Sequence, residues 1–162
     1  MNLHPFACVA SFAAALLMVS GPAWGAPNPA DAQKIDACLK TAVEKDQSGV
    51  ACIGIVADPC IDAAKGKNSD VEDSKACAAR ELAIWNARMQ SAIRDIERGG
   101  RPFAAAVTNS QQSWSSSLTR LCPVFDKVDP GTALGGANYC RLQETAMRVI
   151  VLERLAVSVN PH

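Results

Sequence analysis

Cysteine placement constrains this chain more than any other feature. Seven cysteines occur in 162 residues, and setting aside Cys8 leaves six in the body of the chain: Cys38, Cys52, Cys60, Cys77, Cys122 and Cys140. Cys8 lies at the start of an apolar run, Phe6 to Val19, which is followed by Ser20-Gly21-Pro22 and then Ala23-Trp24-Gly25. Small residues at the two positions a signal peptidase reads make residues 1–25 a cleaved signal peptide by expectation, with Ala26 as the mature start. The run is shorter than the roughly 20 residues a bilayer span needs, so no stable membrane insertion is expected after cleavage. An even cysteine count in a small exported chain reads as three disulfides, and the expected location is periplasmic or secreted. Zinc is disfavoured because no Cys-x2-Cys pair exists and the histidines are His4 and His162 alone.

Six cysteines allow 15 pairings, and the sequence expresses a preference among them. Asp36-Ala37-Cys38-Leu39-x-x-Ala42 is echoed by Asp58-Pro59-Cys60-Ile61-x-x-Ala64, and each copy is followed by a second cysteine, Cys52 and Cys77. The echo favours two local bridges, Cys38–Cys52 and Cys60–Cys77. Cys122 and Cys140 then flank a Pro- and Gly-bearing linker between two helical patterns, so an antiparallel hairpin would bring their sulfurs together.

Periodicity is helical throughout. Asp31 is a candidate N-cap for a helix reaching about Asp46, with Ile35, Leu39, Ala42 and Val43 on one face. Asp58-Pro59 restarts a helix, because proline at a first helical position gives up an N–H that would have no partner there anyway. The longest helix runs from about Val71 or Asp73 to Arg98 along a seam of Leu82, Trp85, Met89, Ala92 or Ile93, and Ile96, and Gly99-Gly100 stops it. Arg101-Pro102 opens the next helix, with Phe103, Val107, Trp114, Leu118 and Leu121 on its apolar face, and Leu142, Ala146, Val149, Leu152 and Ala156 mark the last. The expected fold is all-α: one domain over 26–162, a small disulfide-bonded helical bundle of about four to five helices ending in an antiparallel helical hairpin. Its core is expected to contain Leu82, Trp85, Met89, Phe103, Trp114, Leu118, Leu142, Val149 and Leu152.

Composition excludes several activities. The mature body has no histidine before its last residue, which leaves a Ser-His-Asp or Cys-His centre without its base. Gly131-Thr132-Ala133-Leu134-Gly135-Gly136 follows no strand and precedes no Lys-Ser/Thr, so it does not read as a phosphate loop. Sixteen acidic and sixteen basic residues balance, and no electrostatic pull toward nucleic acid arises. The chain is expected not to be an enzyme, to need no cofactor or metal, and to act on another protein.

A set of ordered motifs goes further. Cys77 to Asn86, Gln111-x-x-Trp114 with Cys122 eight residues later, a Gly-Gly loop, and Cys140-x4-Thr145-x2-Arg148-x3-Leu152 together resemble the N-terminal domain of the lysozyme inhibitor LprI family, most clearly over residues 60–152. Leu118-Thr119 stand where the family carries Arg-Asp, and Trp85-Asn86-x-x-Met89 where it carries Leu-Asn-x-x-Tyr. The resemblance implies an exported helical domain, with lysozyme inhibition through protein–protein binding as the activity attached to the family; the alternative is an envelope interaction or structural module that leaves lysozyme untouched. The family-motif residues to follow are Gln111, Trp114, Thr145 and Arg148. The candidate contact is the tethered linker, with Asp126, Lys127, Asp129, Gly135 and Gly136.

Overall fold

A computed structural model describes residues 27–67, 70–128 and 136–160. The expected signal peptide lies outside the described residues, as do Asp129 and Gly135 of the expected linker. Among the described residues the regular structure is helical: α1 (Pro29–Glu44), α2 (Ala57–Ala64), α3 (Asp70–Arg98), α4 (Arg101–Leu121), α5 (Pro123–Val128) and α6 (Gly136–Val159), with a 3-10 turn at Val50–Cys52. No helix among them is long and apolar enough to cross a membrane.

Local chemistry sets most boundaries. Asn28 caps α1, its side-chain oxygen accepting the Ala30 N–H at 2.9 Å, with proline in the first turn. Asp31, expected to be that cap, lies instead inside the helix, 1 % exposed and paired with Arg80 of α3. Gly49 ends the following loop at φ +74°, where a Cβ would stand 2.9 Å from Leu39. Glycines 99 and 100 separate α3 from α4, and Pro102 sits in the first turn of α4.

The core forms where α3 and α6 meet. Asn138 donates to the Lys75 carbonyl and Asn160 to the Asp95 carbonyl, across sequence separations of 63 and 65 residues, so the two helices run parallel and in constant register. Between them Trp85, Ile96, Leu142, Ala146 and Val149 are fully buried, with Leu82, Met89 and Leu152 close to it. Each buried aliphatic of this kind contributes roughly 1.5–3 kcal/mol, and α6 alone supplies several. Helix α4 runs antiparallel to α6, the separation falling from 38 residues at Arg148–Ser110 to 18 at Cys122–Cys140. It meets α6 at few places, so the main neighbour of α6 is α3 and the two-helix hairpin is not the dominant unit.

Two expected core residues are placed differently. Phe103 is 41 % exposed, and the buried residue of α4 is Val107. Trp114 is half-buried on the rim of the main core, and Leu118 packs in a separate small cluster with Cys122, Ala137 and Cys140.

Three disulfides join Cys38 to Cys52, Cys60 to Cys77 and Cys122 to Cys140. The first ties α1 to the 3-10 turn, the second α2 to α3, and the third the end of α4 to the first turns of α6.

Candidate functional site

The segment expected to be an open linker between Cys122 and Cys140 is partly helical. Leu121, Val124, Phe125 and Val128 fall at i, i+3, i+4 and i+7, the spacing of one helix face. An amphipathic helix ordinarily turns such a face inward. Here the face is left uncovered: Leu121 at the end of α4 and Val124, Phe125 and Val128 of α5 are 48, 46, 51 and 76 % exposed. The polar side chains of α5, Asp126 and Lys127, are exposed as well, and Asp126 accepts the Ala137 N–H at 2.9 Å and so caps α6. Gly136, at φ +48°, leaves the room for that cap, since a Cβ there would stand 2.3 Å from the carboxylate. Lys127 occupies the last turn of α5 and is exposed. The Cys122–Cys140 bridge ties the start of this segment to α6, and the Asp126 cap ties its first turn.

Of the four residues singled out by the resemblance, Gln111 and Arg148 are in direct contact, both half-buried. Arg148 of α6 donates from Nε to Gln111 Oε1 at 2.9 Å and from a terminal nitrogen to Ser110 Oγ at 2.6 Å. Gln111 in turn donates to the Met89 sulfur at 3.0 Å, joining α3, α4 and α6 in one chain of contacts. Partial burial lowers the pKa of the Arg148 guanidinium from its usual value. Thr145, one turn earlier on α6, is 2 % exposed. The Arg148, Gln111 and Ser110 side chains are turned toward one another and join α4 to α6.

A second polar centre had no counterpart in the sequence reading. Glu81 of α3 is fully buried, and its carboxylate accepts the N–H groups of Gly54, Val56 and Ala57 at 2.7–2.8 Å and the Trp85 indole N–H at 2.9 Å. Helix α2 has no side-chain N-cap of its own, so Glu81 performs that role from another helix. Nearby, Tyr139 donates its hydroxyl to Asp58 at 2.7 Å. Burial first, and that hydrogen bond second, raise the phenol pKa well above its ordinary range. The signal for Glu81 was legible: a lone carboxylate on the face that carries Ala78, Leu82 and Trp85.

Three clefts, of ≈ 470, ≈ 270 and ≈ 540 Å³, share Glu153 as a wall. Glu153 pairs with Arg88, which also reaches Asp36 of α1, and burial raises the Glu153 pKa against the opposing pull of that arginine. The clefts bring together acids, bases and apolar walls without a histidine or a free thiol. Among the described residues no group of three or more His, Cys, Asp or Glu side chains is placed to hold a metal ion. The feature that stands out is therefore a surface, the α5 ridge. No family model, no curated protein and no solved structure matches this chain.

Proposed function

We propose that this chain is an exported, non-enzymatic binding module, a member of the LprI-like group, that contacts another protein through the α5 ridge, with lysozyme as the partner to be tested first. The observation that carries the reading is the exposure of Leu121, Val124, Phe125 and Val128 beside the Cys122–Cys140 disulfide. Exposed apolar side chains gathered on one face, with a cation beside them in Lys127, are the composition of a protein contact. Anchoring the ridge before binding reduces the ordering entropy that association must overcome. Paired cysteines suit an oxidising compartment such as the periplasm or the exterior.

The alternative reading, an envelope module with a different protein partner, draws on the same ridge. A lysozyme cleft presents two carboxylates, whereas the ridge offers four apolar side chains and one lysine, a better match to an apolar groove. A lysozyme turbidity assay with the purified protein and with its Phe125→Asp variant separates the readings. Inhibition by the parent that is lost in the variant supports the first. Inhibition equal in both removes the ridge from the account, and no inhibition by either leaves the envelope reading.

A further inference from the structure

We propose that this chain also self-associates through the outward face of α6, as an antiparallel, twofold-symmetric pair of helices. Helix α6 buries Leu142, Val149 and Ala156 against α3, and its opposite face carries Met147, Val151 and Leu155, exposed by 46, 56 and 40 %. A helix that is apolar on both sides is a buried helix, and one side of α6 is uncovered. The three residues recur every four positions, which gathers them into one apolar ridge along the helix.

Charge identifies the occupant as a second copy. With the twofold axis on Val151, Met147 of each copy meets Leu155 of the other, and Glu144 comes opposite Ser158 of the other copy, one turn from its Arg154. Glu144 and Arg154 are both exposed and have no ion-pair partner among the described residues. The symmetry forms the Glu144–Arg154 pair twice and sets the register. Arg148, which would face Arg154 across the axis, is drawn away to Ser110 and Gln111 and leaves that approach free of repulsion. The antiparallel register of α4 carries the exposed Phe103 to the Leu155 end of the ridge, extending the apolar face. A face of this size is at the small end of specific interfaces, so association depends on concentration.

Sedimentation velocity over a wide concentration range reads the outcome, with the thermal transition of each variant confirming that it is folded. The parent shifts from monomer toward dimer as concentration rises, and Val151→Cys, on the axis, is captured as a covalent dimer under oxidation. Ser158→Cys is the control: its two copies lie 14 positions apart along the helices, about 21 Å, and stay uncrosslinked. Glu144→Arg weakens association by about tenfold, through two lost pairs and the repulsion that replaces them, and adding Arg154→Glu restores it. A parent that is monomeric at every concentration overturns the proposal. So does a dimer that crosslinks through position 158 as readily as through 151, or a charge-swapped double variant that fails to recover.

Discussion

The α3–α6 pair, of 29 and 24 residues, and the shorter α4–α5 arm, of 21 and 6, are held together by different means. Both α3 and α6 bury a continuous apolar face, and their ends are tied by side chains reaching backbone carbonyls. Helix α4 buries one residue, Val107, carries no charged side chain from Pro102 to Thr119, and is rich in Ser, Thr and Asn. These residues compete for backbone hydrogen bonds and are weak helix formers. What holds the arm is a short set of specific contacts: the half-buried Trp114, the Met89–Gln111–Arg148 chain, and the Cys122–Cys140 bridge. Burial makes the first region stable in proportion to its area, while the second depends on a few points, any of which can be removed singly.

Breaking the core side of this contrast should have the largest effect. Glu81→Ala leaves three backbone N–H groups and the Trp85 indole without their acceptor, and a loss of at least about 3 kcal/mol is expected, since hydrogen bonds to a charged group are worth about 1.5–3 kcal/mol each and do not simply add. Chemical denaturation measures it; a loss below about 1 kcal/mol would mean that water replaces the carboxylate at no cost.

The arm should respond next. Replacing Cys122 and Cys140 by serine opens a loop spanning 18 residues and should cost about 3 kcal/mol in the chain-entropy picture, seen as a lowered melting temperature. Trp114→Ala should cost about 2 kcal/mol, less than the 3–5 kcal/mol of a fully buried tryptophan, because the ring lies on the rim of the core. A cost as large as that of Trp85→Ala would contradict the division into two regions.

Glu153 sharpens the comparison most gently. Its folded pKa is raised above the unfolded value by burial, so the folded state holds the proton more tightly there. Its contribution to stability is therefore most favourable below the unfolded pKa and declines as pH rises through the folded pKa. Glu153→Gln should flatten that part of the stability–pH curve and change stability at pH 7 by less than about 1 kcal/mol, lost pairing with Arg88 offsetting the relieved desolvation. Denaturation curves at several pH values check the slope.

How much of this was legible in the chain follows the same division. The seam Leu82, Trp85, Met89 of α3 and the stripe of Leu142, Val149 and Leu152 on α6 announce themselves by period, and Gly99-Gly100 and Arg101-Pro102 mark a break that the structure keeps. The repeated Asp-x-Cys pattern pointed to two pairs that the structure contains. Phe103 misled because a periodic pattern gives the face a residue lies on and not how closely the neighbouring helices cover it. Asp31 misled because an acid near a helix start fits a cap, whereas its partner, Arg80, comes from 49 residues away. Helix α5 was hidden by Pro123 and the glycines after it, although Leu121, Val124, Phe125 and Val128 have helical spacing. That the face stays uncovered is a tertiary property, set by which neighbours reach α5.

Amide hydrogen exchange, followed by mass spectrometry on the parent and on the Cys122→Ser/Cys140→Ser variant, tests most directly whether the ridge is presented by an arm that the bridge holds. In the parent, amides of α3 and α6 should exchange only through the rarest openings, and those of α4 and α5 faster. In the variant, α4 and α5 should lose protection while the middle of α3 keeps its own relative to the lowered global stability. Equal protection of all four helices in the parent, or a uniform loss across them in the variant, would contradict the account.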